Sequence, residues 1–347
     1  MKKILILQNK ILHYRKSFYN ELSNHYQITV LHSGPETVRE NDSYNEIIAN
    51  VYKIGPFYYQ SKVLESIKGN YDTIIAMFDV RWISNMLAMR QVSPNKQFIW
   101  WGPWFTGRYF ADKMKVRIAY KSCKMIFYCN EARDTFINAG VFPEKLFVAN
   151  NTIHVEKREE CYKNPIKDSL VFVGTFDRRK QNELLIDCFK NIATNISDEI
   201  KLILIGSGEH RDELNDKVCH NSVLSERVIF PGKIIDPTRL LEYYKKAIAS
   251  VSFGQAGLSV LQSLGYGVPF ITKKDAISGG EITNIKDGIT GILCENSTHS
   301  LEKALLNVCN NIEFARELGK NAYNYYSENC TIKNMVNGFI KAIEAKR

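Results

Sequence analysis

The chain has 347 residues, of which 45% are hydrophobic and 24% are charged, and its formal net charge is +9. The length allows two domains of about 150 residues each, and the composition excludes a disordered or repetitive chain because it can fill ordinary hydrophobic cores. The positive charge predicts an anionic partner, which nucleic acid, a membrane surface and a phosphorylated substrate would all provide.

The N-terminal residues are expected to form a first buried strand and not a signal peptide. The apolar run after Lys2 and Lys3 stops at Leu7, too short for a signal peptide, and no run approaches the roughly 20 apolar residues that cross a bilayer. The cysteines lack the spacing of a zinc site, which favours free thiols in a reducing compartment. They are Cys123, Cys129, Cys161, Cys188, Cys219, Cys294, Cys309 and Cys330. We therefore expect a cytoplasmic protein that binds no metal.

Short apolar runs alternate with amphipathic segments along the chain. The predicted strands are 4–8, 28–32, 73–77, 98–101, 125–129, 146–149, 170–174, 201–205, 228–230, 249–253 and 270–272. The predicted helices include 14–24, 82–90, 113–121, 131–139 and 182–192. Repeated alternation of strand and helix predicts an α/β fold in which helices cover both faces of parallel sheets.

The alternation stops once, at residues 153–169, which are polar and interrupted by Pro165. We interpret this stretch as a linker between two doubly wound, Rossmann-like domains at 1–152 and 170–331. A last helix at about 332–347 is expected to return to the first domain. Ligands of such domains bind beyond the carboxyl ends of the strands, so we expect a central cleft between the two sheets.

The most informative segment is 249–272, which combines a strand, a glycine-containing loop, a helix and another strand. Gly254 and Gly257 allow a ligand to approach the backbone, and the amides from Gly257 to Ser259 begin the helix. Free amides and a partial positive charge at a helix start suit a diphosphate. Gln262 lies one turn further, and its side chain leans back toward that start. An ordinary βα turn without a ligand explains the same spacing.

This segment resembles the signature of glycosyltransferase family 4, the retaining group 1 transferases, which have the GT-B fold. That signature has two glutamates eight residues apart around Gly-Leu, followed by a short apolar helix and Gly-x-Pro. Gly257 and Leu258 match the Gly-Leu pair, and Gly267 with Pro269 matches the last element.

Both family glutamates are replaced here, by Gly254 and by Gln262. In the family the first glutamate contacts the donor sugar and the second contacts the ribose. The resemblance implies that Gln262 still binds ribose hydroxyls. At the first position Gln255 or a backbone group must take over, or the subfamily uses a different sugar.

A second match follows the strand that ends at Gly174. The family has an arginine directly after this glycine and a lysine six residues after it; here Thr175 replaces the arginine and Lys180 matches the lysine. Arg178 and Arg179 lie in the same loop and can supply the missing charge. A diphosphate leaving group needs such cations because its charge grows as the glycosidic bond breaks. A solvated basic turn is the alternative.

Two further matches complete the expected donor site. Gly206 and Gly208 resemble the glycine turn that lies against the base, and Glu281 resembles a donor contact, although it could equally cap the helix that follows. The resemblance implies a nucleotide-diphosphate sugar as donor, with no other cofactor and no metal. It assigns catalysis to Arg179, Lys180 and Glu281 and leaves the base unassigned, since the leaving phosphate can take the acceptor proton.

The first domain is expected to bind the acceptor. The candidates follow its predicted strands: Tyr14, Arg15, Asp79, Arg81, Trp101 and Trp104. The histidine that many family members have after the strand ending at Trp101 is absent. His13 and His154 are candidates by position only.

Residues 96–124 contain seven basic side chains and one acidic side chain, Asp112, together with three of the four tryptophans. Bases beside aromatic side chains suit an anionic membrane, as they would acceptor sugars. A core strand with a solvated basic helix is the simpler interpretation, and nucleic acid is set aside. The membrane interpretation predicts peripheral attachment to the inner face of the cell membrane.

The predicted function is transfer of a sugar from a nucleotide-diphosphate sugar to a glycan or lipid-linked acceptor in surface-polysaccharide assembly. Because the family glutamates are missing, a catalytically silent nucleotide-sugar-binding subunit is one alternative. Another GT-B enzyme, such as a nucleotide-sugar epimerase, is the second.

Overall fold

The computed structural model describes residues 1–105, 107–121 and 124–346. In this part the chain forms two compact units, one of Met1–His154 with the residues from Ile332 onward and one of Val155–Thr331. Cys123 lies outside the described residues; the other seven cysteines are free thiols, as predicted. None of the described helices has the length and apolar character that crossing a bilayer requires.

The first unit is built on a parallel sheet with the strand order β3-β2-β1-β6-β7-β8-β9, beside a separate antiparallel hairpin, β4–β5. The strands are β1 (Lys3–Leu7), β2 (Gln27–His32), β3 (Asn45–Ile48), β4 (Val51–Ile54), β5 (Phe57–Gln60), β6 (Thr73–Met77), β7 (Gln97–Trp101), β8 (Lys124–Phe127) and β9 (Leu146–Val148). The central strands are continuous buried apolar runs, as expected of a parallel sheet covered on both faces.

Helices cover both faces of this sheet. They are α1 (Lys16–Ser23), α2 (Val63–Ser66), α3 (Ile83–Gln91), α4 (Tyr109–Lys121) and α5 (Asn130–Asn138). Phe18 of α1 is buried against one face, whereas Val63 of α2, Ala88 of α3 and Phe136 of α5 are buried against the other. The predicted α/β architecture is therefore present in this unit.

The second unit has the same layered build, on a parallel sheet with the order β12-β11-β10-β13-β14-β15. Its strands are β10 (Ser169–Thr175), β11 (Lys201–Ser207), β12 (Val228–Gly232), β13 (Ala247–Val251), β14 (Phe270–Lys273) and β15 (Gly291–Cys294). Its helices are α6 (Asn182–Ile192), α7 (Arg211–Cys219), α8 (Ser222–Arg227), α9 (Pro237–Lys246), α10 (Leu258–Gly265), α11 (Thr298–Asn310) and α12 (Ile312–Asn329). The apolar stripe of α6, including Leu185 and Phe189, is buried in the core.

Most of the stretch 153–169 packs on the second unit. Cys161 is buried, and the Arg158 guanidinium donates to the Gly265 carbonyl at 2.9 Å. The last helix, α13 (Ile332–Glu344), packs on the first unit instead. Gly338 lets α13 approach the sheet, since a Cβ there would lie 2.5 Å from the Val148 carbonyl oxygen.

Candidate functional site

The predicted donor residues lie at the carboxyl edge of the second sheet, where β10, β11 and β13 end. Gly174 pairs with Gly206 across β10 and β11. A Cβ on Gly206 would lie 1.8 Å from the Gly174 oxygen, and a Cβ on Gly208 would lie 2.3 Å from the Phe176 oxygen. These glycines therefore let the two strand ends pack closely. A contact with the base stays a prediction.

The loop after β10 is held by Asp177. Its carboxylate accepts from the Arg179 backbone N–H at 3.0 Å, from the Arg179 guanidinium at 3.1 Å and from the Thr175 hydroxyl at 3.2 Å. Burial acts to raise the pKa of Asp177, but these hydrogen bonds hold it below its ordinary value. Arg178 lies 3.7 Å from Glu213. Both arginines are thus exposed and already paired with carboxylates, which reduces the charge they offer to a ligand.

Lys180 is the exception in this loop, since its side chain is buried with only 9% exposure. Burial lowers the pKa of its ammonium, and the carboxylates of Asp177 and Glu281 oppose that shift. No described residue accepts a hydrogen bond from its Nζ atom. This ammonium has no hydrogen-bond partner among the described residues and belongs to a largely buried side chain, so it is available to bind an anion.

The start of α10 lies beside this loop. Gly257 precedes the helix, and a Cβ on it would meet nothing within 4 Å, so the space in front of the helix is open. Within the described chain the N–H groups of Leu258 and Ser259 have no acceptor, and the buried Gln255 Oε1 and Ser259 Oγ atoms have no partner. Gln262 is half-buried one turn further along α10.

Gly254 connects the loop after β10 with the loop that leads into α10. Its N–H donates to the Lys180 carbonyl at 3.2 Å. A Cβ at this position would lie 2.1 Å from the Arg179 oxygen and 2.8 Å from Gln181 Cγ. The backbone therefore has no room for a side chain where the resembling family has its first glutamate. This contact also brings Lys180 next to the start of α10.

Glu281 is buried and accepts from the Gly279 N–H at 2.9 Å and the Ser278 hydroxyl at 3.2 Å. These bonds hold the turn before the short 3-10 helix Glu281–Asn284, whose N-cap residue Gly280 makes no side-chain capping bond. A donor contact of Glu281 stays a prediction. The charge of Glu281 still acts on Lys180, so both belong to one region. Among the described residues no three His, Cys, Asp or Glu side chains form a cluster that could hold a metal ion.

Two of the predicted acceptor residues lie in the core of the first unit. Arg15 is buried, donates to Asn151 Oδ1 at 2.6 Å and packs its guanidinium 5.1 Å from the centre of the Trp101 ring. Trp101 is buried between Phe18 and Phe339. The structure therefore gives Arg15 and Trp101 internal partners, and neither side chain is displayed to a ligand. Sequence position alone could not reveal this.

The other candidates are more accessible. Arg81 pairs with Asp79 at 2.7 Å, and this carboxylate raises the pKa of the guanidinium. Tyr14 is half-buried, and its ring lies 5.3 Å from the Arg15 guanidinium. Trp104 is 41% exposed, and its carbonyl accepts from Lys115. These residues remain candidates for acceptor contacts.

The sequence missed a cavity of about 530 Å³ at the carboxyl ends of β1 and β2. It is lined by Ile11, His13, Lys16, Glu36, Thr37, Val38 and Arg39. Glu46 holds its outer loop by accepting from the backbone N–H groups of Thr37 and Val38. Burial acts to raise the pKa of Glu46, but these bonds hold it below its ordinary value. Of the lining residues, only His13 was a candidate from its position in the sequence, because the loop 36–39 carries no motif.

The basic side chains of the stretch 96–124 fall into an internal group and an exposed group. Residues 106, 122 and 123 lie outside the described part of the chain. Lys96, Lys115 and Lys124 donate to backbone carbonyls of the first unit. The others are exposed: Arg108, Lys113, Arg117 and Lys121. They accompany the exposed apolar side chains of α4, with Tyr109 at 69% and Phe110 at 85% exposure.

Comparison with known proteins gives the following similarities. Residues 156–325 match the family model of glycosyl transferases group 1. An uncharacterised glycosyltransferase of Methanocaldococcus jannaschii is 26% identical over 258 residues, covering 68% of this chain and 62% of that protein. A second relative is a Campylobacter jejuni alpha-1,4-N-acetyl-D-galactosaminyltransferase acting on an undecaprenol diphosphate saccharide. It is 27% identical over 210 residues, covering 59% of this chain and 56% of that protein. The matches thus span less than two thirds of these relatives.

Among solved structures, a glycosyltransferase of Rickettsia africae aligns with a TM-score of 0.77 and 14% identity, covering 99% of this chain and 98% of that chain. HepE of Anabaena, in complex with UDP and glucose, aligns with a TM-score of 0.71 and 15% identity over 100% of both chains. TarM aligns with a TM-score of 0.73 and 12% identity over 99% of both. The fold is GT-B, and together with the family match these similarities support a glycosyltransferase.

Proposed function

We propose that the protein transfers a sugar from a nucleotide-diphosphate sugar, held by the second unit, to a glycan or lipid-linked saccharide held by the first. The observation that carries this proposal is the ammonium of the largely buried Lys180 side chain, which has no hydrogen-bond partner among the described residues and lies beside the open start of α10. A diphosphate satisfies both features at once. Its oxygens accept from the ammonium and from the free N–H groups of Leu258 and Ser259.

The same groups favour transfer over simple binding. Negative charge grows on the diphosphate as the glycosidic bond breaks, so Lys180 and the helix start stabilise the transition state more than the bound substrate. In this proposal Arg178 and Arg179 add charge, and no metal is needed to balance the leaving group. Transfer proceeds with retention, the leaving phosphate takes the acceptor proton, and Gln262 binds the ribose.

The donor and acceptor classes also draw on relatives. HepE was solved with UDP and glucose, which favours a uridine nucleotide as the first donor to test. The Campylobacter relative extends a saccharide on undecaprenol diphosphate, which favours a lipid-linked acceptor in surface-polysaccharide assembly. An acceptor of that kind lies at a membrane.

Peripheral attachment to the inner face of the membrane is therefore the second part of the proposal. The four exposed bases near and on α4 suit anionic lipid headgroups, and Tyr109 and Phe110 suit the interface below them. Lys96, Lys115 and Lys124 are excluded from this surface because their ammonium groups bind carbonyls inside the unit.

The test of the donor site is calorimetric titration with UDP and GDP. We expect Lys180→Ala to weaken binding about tenfold or more, because a charge-assisted hydrogen bond contributes roughly 1.5–3 kcal/mol. Arg179→Ala should weaken nucleotide binding less, because Asp177 already neutralises that guanidinium. Lys190→Ala, an exposed lysine of α6, is the matched control. Unchanged affinity in Lys180→Ala would remove the basis of the proposal.

One further assay separates the alternative functions. A panel of nucleotide sugars is incubated with the protein without acceptor, and the products are resolved by chromatography. A transferase releases free sugar and nucleotide diphosphate slowly, an epimerase yields the epimeric sugar, and a silent subunit binds without turnover.

A further inference from the structure

The hairpin β4–β5 of the first unit exposes an unusual number of apolar side chains. Every residue of β4 is exposed, and Lys53 is the one charged residue between Ile48 and Gln60. Large apolar side chains that are between 41% and 59% exposed gather here, namely Ile48, Val51, Tyr52, Ile54 and Phe57. Exposed apolar side chains concentrated in one place mark a surface that binds another macromolecule.

One long edge of this hairpin is bound to the rest of the first unit. On the β5 side, the Tyr58 N–H donates to the Arg81 carbonyl at 2.8 Å. The Gln60 N–H, on the same side, donates to the Ser84 hydroxyl at 3.2 Å. These bonds fix β5 to the unit, so the remaining edge of the hairpin is the outer edge of β4.

The backbone of β4 leaves hydrogen-bonding groups on that outer edge. The Ser61 N–H donates to the Asn50 carbonyl at 2.9 Å, so the backbone groups of Asn50 point toward β5. Since these groups alternate in direction along an antiparallel strand, Tyr52 also bonds to β5, whereas Val51 and Lys53 point outward. Outside the hairpin, no described residue bonds to the N–H or carbonyl groups of Val51 and Lys53.

The chemistry of this edge favours a strand of protein as its partner. An open strand edge flanked by apolar side chains is a template for the addition of another strand. A lipid bilayer suits it less, because hydrocarbon offers no partner to backbone N–H and carbonyl groups. Anionic headgroups attract clusters of bases, and this segment contains only Lys53. A further strand supplies the missing hydrogen bonds and covers the apolar side chains at the edge.

We propose that β4 pairs antiparallel with β4 of a second copy of this chain, about a two-fold axis through Tyr52. In this register Val51 of each copy exchanges two backbone hydrogen bonds with Lys53 of the other. The two Tyr52 side chains face each other as a closely spaced pair, and Ile54 lies diagonal to Tyr52 of the other copy. A closed two-fold dimer is also the commonest assembly of identical chains.

The sequence of β4 selects this register over its two neighbours. An axis through Lys53 would place two ammonium groups directly opposite each other, which is destabilising. An axis through Val51 would pair Lys53 with Ala49, whose N–H already donates to the His32 carbonyl at 2.8 Å. The axis through Tyr52 uses only the outward groups of Val51 and Lys53, and it places each ammonium opposite a valine.

Sedimentation velocity of the full chain tests the pairing. Because the contact is small, we expect a weak dimer with a dissociation constant of roughly 10–100 μM. Lys53→Pro removes an N–H that the hairpin itself does not use, so it should raise this constant at least about tenfold. Lys53→Thr is the matched control, because it also removes the ammonium but keeps the N–H, and it should dimerise at least as strongly as wild type. Equal thermal midpoints of the two variants show that the hairpin is intact.

Cysteine cross-linking tests the register independently. The parent variant is Cys219→Ser, since Cys219 is the exposed thiol among the described cysteines. Adding Tyr52→Cys should give a disulfide-linked dimer on mild oxidation, because the Cα atoms of such a pair are about 4.5 Å apart. Adding Ile54→Cys instead places the thiol opposite Asn50 of the other copy, so it should cross-link much less. The parent variant alone gives the background.

Four results would overturn the inference. A wild type that stays monomeric over the whole concentration range would do so, and so would a dimer that Lys53→Pro leaves intact. Cross-linking of Ile54→Cys as fast as that of Tyr52→Cys would refute the two-fold axis through Tyr52. A monomeric wild type whose binding to phosphatidylglycerol vesicles is lost in Lys53→Pro would assign the hairpin to lipid instead.

Discussion

The two units have the same layered architecture, yet the carboxyl edges of their sheets differ in how their charges are used. In the second unit the Lys180 ammonium and the first amides of α10 have no partner among the described residues. In the first unit Arg15 is buried against Trp101 and donates to the Asn151 amide oxygen at 2.6 Å. Position at a strand end therefore does not identify a binding residue. An unsatisfied buried charge is the more specific sign.

In the first unit, several basic side chains bind groups inside the unit and are not available to a partner. Its stretch 96–124 has seven bases, but three of them stabilise the fold by binding carbonyls. What remains for a partner is α4 with its exposed aromatic side chains. The candidate donor site of the second unit is thus marked by polar groups without a partner among the described residues. The α4 surface of the first unit is marked by exposed basic and aromatic side chains. Substitutions can test each of them.

The largest effect is expected for Gly254→Glu, which restores the residue of the resembling family. The new Cβ would lie 2.1 Å from the Arg179 oxygen, so the loop that carries Lys180 must move. Overpacking of this kind costs typically 1–3 kcal/mol, and the displaced loop should abolish nucleotide-diphosphate binding. Thermal unfolding and calorimetric titration measure the two effects.

The matched control is Gly257→Ala, because the space around that glycine is open within 4 Å. Its thermal midpoint should stay close to that of wild type. A Gly254→Glu protein that unfolds at the wild-type midpoint and binds UDP normally would show that this edge tolerates rearrangement. The close contact between Gly254 and the Lys180 loop would then not be required for binding.

The second prediction concerns the α4 surface. Changing Lys113, Arg117 and Lys121 to Glu should abolish co-sedimentation with phosphatidylglycerol vesicles, since each base contributes about 1 kcal/mol near an anionic surface. Wild-type binding should require the anionic lipid and weaken steeply with salt. The exposed Tyr109 and Phe110 should leave a remainder that salt does not remove.

A charge-matched control makes this experiment specific. Changing Lys190, Lys303 and Lys320 to Glu alters the net charge equally but leaves α4 intact, because all three are exposed lysines of the second unit. If this control loses binding as strongly, attraction is due to net charge and not to α4. If wild type ignores anionic vesicles at low salt, the simpler interpretation of a solvated basic helix is correct.

How far the sequence predicts the structure depends on burial. The predicted strand 4–8 corresponds to Lys3–Leu7, and the predicted strand 170–174 lies inside Ser169–Thr175, because buried parallel strands are continuous apolar runs. The hairpin β4–β5 was missed. All four residues of β4 are exposed, so this strand has no buried face to produce an alternating pattern.

The sequence also predicts only part of the candidate site. The family resemblance named Lys180 and the start of α10, and the structure brings them together through Gly254. It could not show that Gly254 has no room for a side chain, because its contact with the Arg179 oxygen joins two loops more than 70 residues apart in the sequence. It also could not show that Arg15 is buried, since that depends on packing against Trp101 and Met335.

A third prediction tests the structural role of the first edge. Arg15→Ala should destabilise the first unit by about 3 kcal/mol, because it removes a buried charged hydrogen bond to Asn151 and the packing on Trp101. UDP affinity should not change, since the donor residues belong to the other unit. Denaturant unfolding gives the stability and calorimetry the affinity. Weaker UDP binding with normal stability would instead make Arg15 a ligand contact.

The smallest effect is expected at Gln262, which tests whether the second edge also binds the ribose. Gln262 is half-buried one turn inside α10, and helical side chains lean toward the start of their helix. Losing one neutral hydrogen bond of about 1 kcal/mol should weaken UDP binding by roughly fivefold in Gln262→Ala. Gln262→Glu, which restores the family residue, should bind UDP within a factor of about two, because a carboxylate accepts from ribose hydroxyls equally well. The two variants are compared by calorimetry with UDP and with inorganic pyrophosphate, which lacks the ribose and should bind all three proteins equally. If Ala is harmless and Glu abolishes UDP binding, the side chain lies against the phosphates, and the alignment of α10 with the family signature is wrong.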